Sequence, residues 1–174
     1  MKIVINNCYG GFSLSYEAMA LYLATKCKQA YFYVELRGSG NNRSFKRIPF
    51  RDLKTAENTY YHHIYCTTED QGEELDHFPN NIFNDREVER TDPDLISVVE
   101  FLGPKAASGR YAELKIVEID DGTMYRIDNY DGYEEIQIRD NLGWEIAVSD
   151  HQSTPVDPNL LHLIYDNYTK GEIK

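Results

Sequence analysis

The chain has 174 residues, which suits one domain of ordinary size and is short for two. Aromatic residues make up 13% of it, unlike the aromatic-poor composition of a disordered chain. Eighteen basic against 29 acidic residues leave a net charge of −11, which argues against nucleic acid or an anionic membrane surface as partner. The longest apolar run, 18–24, is far shorter than a membrane span, and the three apolar residues after Lys2 are too few for a signal-peptide core. These features predict a cytoplasmic protein. Cys8, Cys27 and Cys66 cannot pair completely and show no C-x-x-C spacing, so neither a disulfide framework nor a zinc site is indicated, and no cofactor is.

In chain order, residues 2–6 read as a short buried strand, followed by the turn segment Cys8-Tyr9-Gly10-Gly11-Phe12. Ser13 or Ser15 can cap a helix whose apolar face is Leu14, Ala18, Leu21 and Tyr22 and which reaches about Lys28. A strand over 31–36 alternates Phe32, Val34 and Leu36 against Tyr31, Tyr33 and Glu35, and its expected partner is 59–67. Residues 37–58 read as a mobile basic loop and 69–92 as an acidic loop. Asp92-Pro93 starts a helix with the stripe Leu95, Val98, Val99 and Leu102, and Gly103-Pro104 stops it. From 113 to 148 four short strands read as a meander, with Asp131-Gly132 as its strongest hairpin signal. Asp157-Pro158 starts a last helix, with the stripe Leu161, Ile164, Tyr165 and Tyr168 and Gly171 beyond its end. The expected fold is a single α+β domain over 1–174: a mixed sheet with an N-terminal β-α-β unit, a C-terminal antiparallel meander and about three helices.

Charge is unevenly spread. Between Arg37 and Lys54 lie six basic residues (Arg37, Arg43, Lys46, Arg47, Arg51, Lys54) and one acid, Asp52, whereas 69–94 holds ten acids and two arginines. A basic island on an acidic molecule can hold a small anion while larger polyanions are repelled.

Several segments resemble a family of small proteins encoded by phages and prophages: the opening 1–15, Asp92-Pro-Asp-Leu-Ile-Ser-Val-Val-Glu100, Leu114-Lys-Ile-Val-Glu-Ile119 and Tyr130-Asp-Gly-Tyr-Glu134. The resemblance covers roughly the first 24 residues and 91–135. It implies a protein acting in a bacterial cytoplasm during infection. Phages carry small proteins that bind and withdraw nucleotide-derived immune signals of their hosts, which supplies an analogy and not a motif match.

Three segments could hold such a ligand. Cys8, Tyr9, Gly10, Gly11 and Phe12 join a strand to a helix, where backbone N–H groups can receive an anion; the same residues could equally form a plain packed turn. Arg37, Asn41 and Arg43 sit in a glycine-loosened loop whose guanidinium forks suit phosphate, or which could be only a solvated hairpin tip. Tyr61, His63 and Tyr65 share one strand face, suited to stacking on a base or to forming a half-buried sheet surface. Asp128–Gly132 superficially resembles a calcium loop, but Ile127 stands where the first ligand must be an aspartate. Glu134 and Glu135 point to opposite sides and make no acid/base pair. The expectation is a phage-type anti-defence protein that sequesters an ADP-ribose-like molecule without catalysis or metal. A hydrolase using Cys8, or an acidic protein that blocks a host protein, are the alternatives, and tyrosine-rich strands are compatible with a homodimer.

Overall fold

The structure is a computed structural model that describes residues 1–37, 43–60, 64–138, 145–146 and 156–171. The protein is α+β. Two compact units are present, Met1–Ala18 with Asp85–Leu161 and Met19–Asn84 with His162–Lys174.

In the first unit, β1 (Lys2–Asn6) pairs antiparallel with β6 (Leu114–Glu118), Val4 facing Ile116. β7 (Met124–Tyr130) pairs with β8 (Tyr133–Ile138) on one side and with the short β9 (Glu145–Ile146) on the other. Asp131 and Gly132 carry φ of 50° and 88°, the left-handed pair that Asp-Gly supplies to a two-residue hairpin. Ile3, Ile5, Ile119 and Tyr125 form a buried cluster, with Met1, Val117, Ile127 and Ile136 packed around it.

α3 (Pro93–Leu102) starts as its sequence predicts: the Asp92 side chain accepts the N–H of Asp94 at 2.9 Å, and Leu95, Val98 and Val99 are buried. Gly103, at φ 80°, ends it. Pro104, expected only as a stop, opens a one-turn helix α4 (Pro104–Ala107), since proline fits the first helical position as well as it blocks an interior one.

In the second unit β2 (Tyr31–Arg37) is central, flanked by β3 (Arg43–Ile48) and β4 (Ile64–Thr67), with β5 (Glu74–Leu75) beside β3. One face of this sheet carries the cluster Tyr33, Phe45 and Leu75, against which Tyr31 and Tyr65 pack. α1 (Tyr16–Thr25) begins in the first unit and continues into the second; it is capped by Ser15, whose Oγ accepts the N–H of Ala18 at 3.2 Å. It ends short of Lys28. The N–H of Lys28 bonds back to Leu23 O and that of Cys27 to Ala24 O, with Cys27 at φ 56° in the left-handed position that glycine usually fills. α5 (Pro158–Lys170) buries Leu161 and Tyr168, and Gly171 turns away at φ 72°.

Four expectations need correction. Every described strand pairing is antiparallel, so no mixed sheet forms among the described residues. The edge of β1 away from β6 offers β2 no parallel seat, because the N–H groups of Val4 and Asn6 are already bonded to Arg90 O at 2.8 Å and Glu134 Oε2 at 2.9 Å. Likewise β6 leaves the expected four-strand meander to join β1. Residues 43–58 of the expected loop 37–58 are not a loop: β3, a 3-10 turn at Phe50–Asp52 and α2 (Leu53–Tyr60) occupy them, while 38–42 lie outside the described residues. Buried Phe45, Leu53 and Ala56 hold them down, an apolar pattern hidden among lysines and arginines whose heads remain in water. With α2 and α4 the described residues contain five α-helices rather than about three.

Candidate functional site

The Cys8–Phe12 turn is packed as part of the first unit. At its base Asn6, with 0% exposure, is the hub: its amide nitrogen donates to Cys8 O at 2.6 Å and Gly132 O at 2.7 Å, and its amide oxygen accepts Glu113 N–H at 2.8 Å. A Cβ on Gly10 would run into the carbonyl oxygen of Tyr111, and one on Gly132 would lie 2.7 Å from Gly11 Cα. The glycines therefore let three chain segments close on one another. Phe12 is buried, and the Arg90 guanidinium carbon lies 3.4 Å from its ring centroid. That guanidinium also forks onto buried Glu134, at 3.0 and 3.4 Å, and donates to Val88 O at 2.7 Å. Asp85 Oδ2 accepts the N–H of Leu14 at 2.7 Å, and burial pushes its carboxyl above the usual carboxylate range. Tyr9 alone projects, 67% exposed and 5.7 Å from the Tyr133 ring.

Cys8 Sγ lies 3.1 Å from Tyr111 O and 3.4 Å from Asn6 Oδ1. Both are acceptors, and neither is a base that could remove a thiol proton. Among the described residues no group of three or more His, Cys, Asp or Glu is arranged to hold a metal ion. No helix among them is long and apolar enough to cross a membrane.

Two of the predicted site residues, Arg43 and Tyr65, meet in the second unit, but at a buried carboxylate. Arg43 Nε lies 3.4 Å from Glu35 Oε1, and the Tyr65 hydroxyl donates to Glu35 Oε2 at 3.3 Å. The half-buried Tyr65 ring meets Phe45 and Phe78 edge-on, at 5.8 and 5.0 Å between centroids. Burial and the neighbouring Glu35 carboxylate push its hydroxyl pKa up. Arg37 closes the β2–β3 hairpin opposite Arg43; its side chain, Asn41, Tyr61 and His63 lie outside the described residues.

A cleft of about 540 Å³ opens elsewhere in the second unit, within the range of about 300–1,000 Å³ common for small-molecule sites. The start of β2 and the end of β3 supply Tyr31, Phe32 and Arg47; the 3-10 turn supplies Phe50 and Arg51; Asp70 and Glu73 rise opposite, and Tyr168 comes from α5. Its aromatic wall is continuous: Phe50 lies 5.2 Å from Tyr168 and 6.3 Å from Phe32 between centroids. Tyr168 is fixed by accepting the Ala30 N–H at 3.5 Å, and burial raises its hydroxyl pKa.

Arg47 lays its guanidinium 5.1 Å from the Tyr31 centroid and gripping Asp70 at 2.8 Å and Glu73 at 3.4 Å. Asp70 is itself held, because its Oδ1 accepts the Gly72 N–H at 3.0 Å and the Tyr33 hydroxyl at 3.4 Å. Arg51 is looser: its side chain is 62% exposed, and its ion-pair partner Asp52 stands at 4.0 Å. The cleft thus combines aromatic faces, a pinned cation, an available cation and two oriented carboxylates. No protein-family model, no curated protein and no solved structure matches this chain.

Sequence reasoning had Arg47 and Arg51 within the basic island but assigned the ligand to Arg37 and Arg43. Two signals bore on the choice. Phe50 directly precedes Arg51, and the spacing of Arg43, Phe45 and Arg47 on one strand face marks Arg47 as the arginine nearest the 3-10 turn.

Proposed function

We propose that this protein binds and sequesters a small nucleotide-derived molecule of the ADP-ribose type without converting it, in the phage anti-defence setting that its motifs suggest. The observation that carries the reading is the second-unit cleft, where Tyr31, Phe50 and Tyr168 stand beside Arg47 and Arg51. A base can stack on the rings and a phosphate can dock on the Arg51 fork. The surrounding net charge of −11 confines attraction for anions to such local spots.

The test is mass spectrometry of small molecules released by denaturing protein purified from defence-active cells, paired with melting shifts on adding the compound back. The expected result is one nucleotide recovered unchanged, and stabilisation that grows with ligand concentration as RT ln(1 + [L]/Kd). Arg51→Ala should weaken binding about tenfold and leave unliganded stability within about 0.5 kcal/mol, since the side chain is exposed. Recovery of a converted product would overturn sequestration. Recovery of a host protein at fixed stoichiometry, with no melting shift by nucleotides, would favour protein blocking instead.

A further inference from the structure

We infer that the cleft selects a nucleotide with a free ribose cis-diol and a low charge, and discriminates against triphosphates and 3′,5′-cyclic nucleotides. The inference rests on the binding reading above and adds the chemical class of the ligand.

Four charged side chains line the cleft, Arg47 and Arg51 against Asp70 and Glu73, and their formal charges cancel. Arg47 is already held by both carboxylates, so a second strongly anionic group entering the cleft meets Asp70 and Glu73 before it finds a free guanidinium. Each extra negative charge on a ligand therefore gains nothing from the cleft and is opposed by the acidic remainder of the molecule. One phosphate, or a diphosphate bridge, can be matched by Arg51; a triphosphate tail cannot.

The carboxylates state the other half of the requirement. An ionised carboxylate only accepts hydrogen bonds, so its complement in a ligand is a pair of donors. Asp70 has a fixed orientation, set by Gly72, Tyr33 and Arg47. Glu73 touches Arg47 through Oε1 alone and its side chain is 79% exposed, which leaves Oε2 facing solvent. Two vicinal hydroxyls satisfy such an acceptor together. A ribose 2′,3′-diol has them, whereas a 2′-deoxyribose keeps one, and a 3′,5′-cyclic phosphate also keeps one because its 3′ oxygen is esterified. ADP-ribose offers two such diols on a modest charge.

Calorimetric titration of the full chain with AMP, 2′-deoxy-AMP, 3′,5′-cyclic AMP and ATP tests this. AMP should bind about tenfold more tightly than each of the other three, because a carboxylate oxygen that the ligand covers but does not donate to loses its water without replacement. Glu73→Gln alters an exposed side chain with no part in the core, so the variant should fold normally. It should remove the gap between AMP and 2′-deoxy-AMP, whatever shift the lost charge adds to both alike. Equal affinity for all four nucleotides, or a Glu73→Gln effect equal for AMP and 2′-deoxy-AMP, would overturn the selectivity and leave nucleotide binding standing. If none of the four binds, the binding reading falls with it.

Discussion

The Gly10-Gly11 turn and the second-unit cleft contain similar ingredients, glycines or loops next to arginines and aromatic rings, and put them to opposite uses. Around the turn the polar side chains are engaged within the fold: Asn6 bonds to three segments, Arg90 is held by Glu134 and Val88, and Phe12 lies beneath the guanidinium. In the cleft the arginine beside Phe50 reaches its carboxylate only at 4.0 Å, and Glu73 keeps an oxygen free. The difference teaches that residue type alone does not make a binding site. What matters is whether the hydrogen-bonding capacity is spent inside the fold.

Substitutions can break this contrast, and the largest effect should come from Arg90→Ala. It leaves Glu134 buried without its cation, which should cost about 3–5 kcal/mol in a denaturant titration. A loss below about 1 kcal/mol would mean that the node is not the anchor of the first unit. Gly10→Ala should cost about 1–3 kcal/mol, because its Cβ meets a backbone carbonyl that cannot rotate away. Both variants should keep nucleotide affinity per folded molecule, the reverse of Arg51→Ala.

Cys27→Gly should raise stability by about 0.5–1 kcal/mol, since it relieves a left-handed residue at the end of α1. A thermal melt with reductant present would check it. Asp85→Asn sharpens the comparison through pH. The folded carboxyl titrates above its unfolded value, so the folded state holds the proton longer than the unfolded chain. Stability is greatest below the ordinary carboxylate range and falls as pH rises through the elevated value. Asparagine still accepts the Leu14 N–H, so the variant should lose this slope and be at least as stable at neutral pH.

Much of the fold was legible. Asp92-Pro93 and Asp157-Pro158 start helices because the cap and the fixed proline φ act locally, and Asp131-Gly132 makes its hairpin for the same kind of reason. The pairing of β2 with β4 followed from their shared aromatic pattern. What could not be read is non-local. That β1 prefers β6 depends on Arg90 and Glu134, which sit far along the chain and look like ordinary surface charges. That Glu35, on the strand between Arg43 and Tyr65, is buried and engages both is a cross-strand feature of the same non-local kind. The cleft was half-visible, since its cations come from the basic island, but its carboxylates belong to the acidic stretch that seemed only a solvated loop.

The setting of Asn6 protects its amide from chemical ageing: the side chain is buried, and the Asn7 N–H that would have to attack it is bonded to Glu113 O at 2.7 Å. The Asn6 amide nitrogen points at two carbonyl oxygens, so hydrolysis to aspartate during storage would replace a donor with an anion aimed at the same pair. That exchange would loosen the first unit from within, and exposed asparagines should gain their mass unit well before Asn6 does.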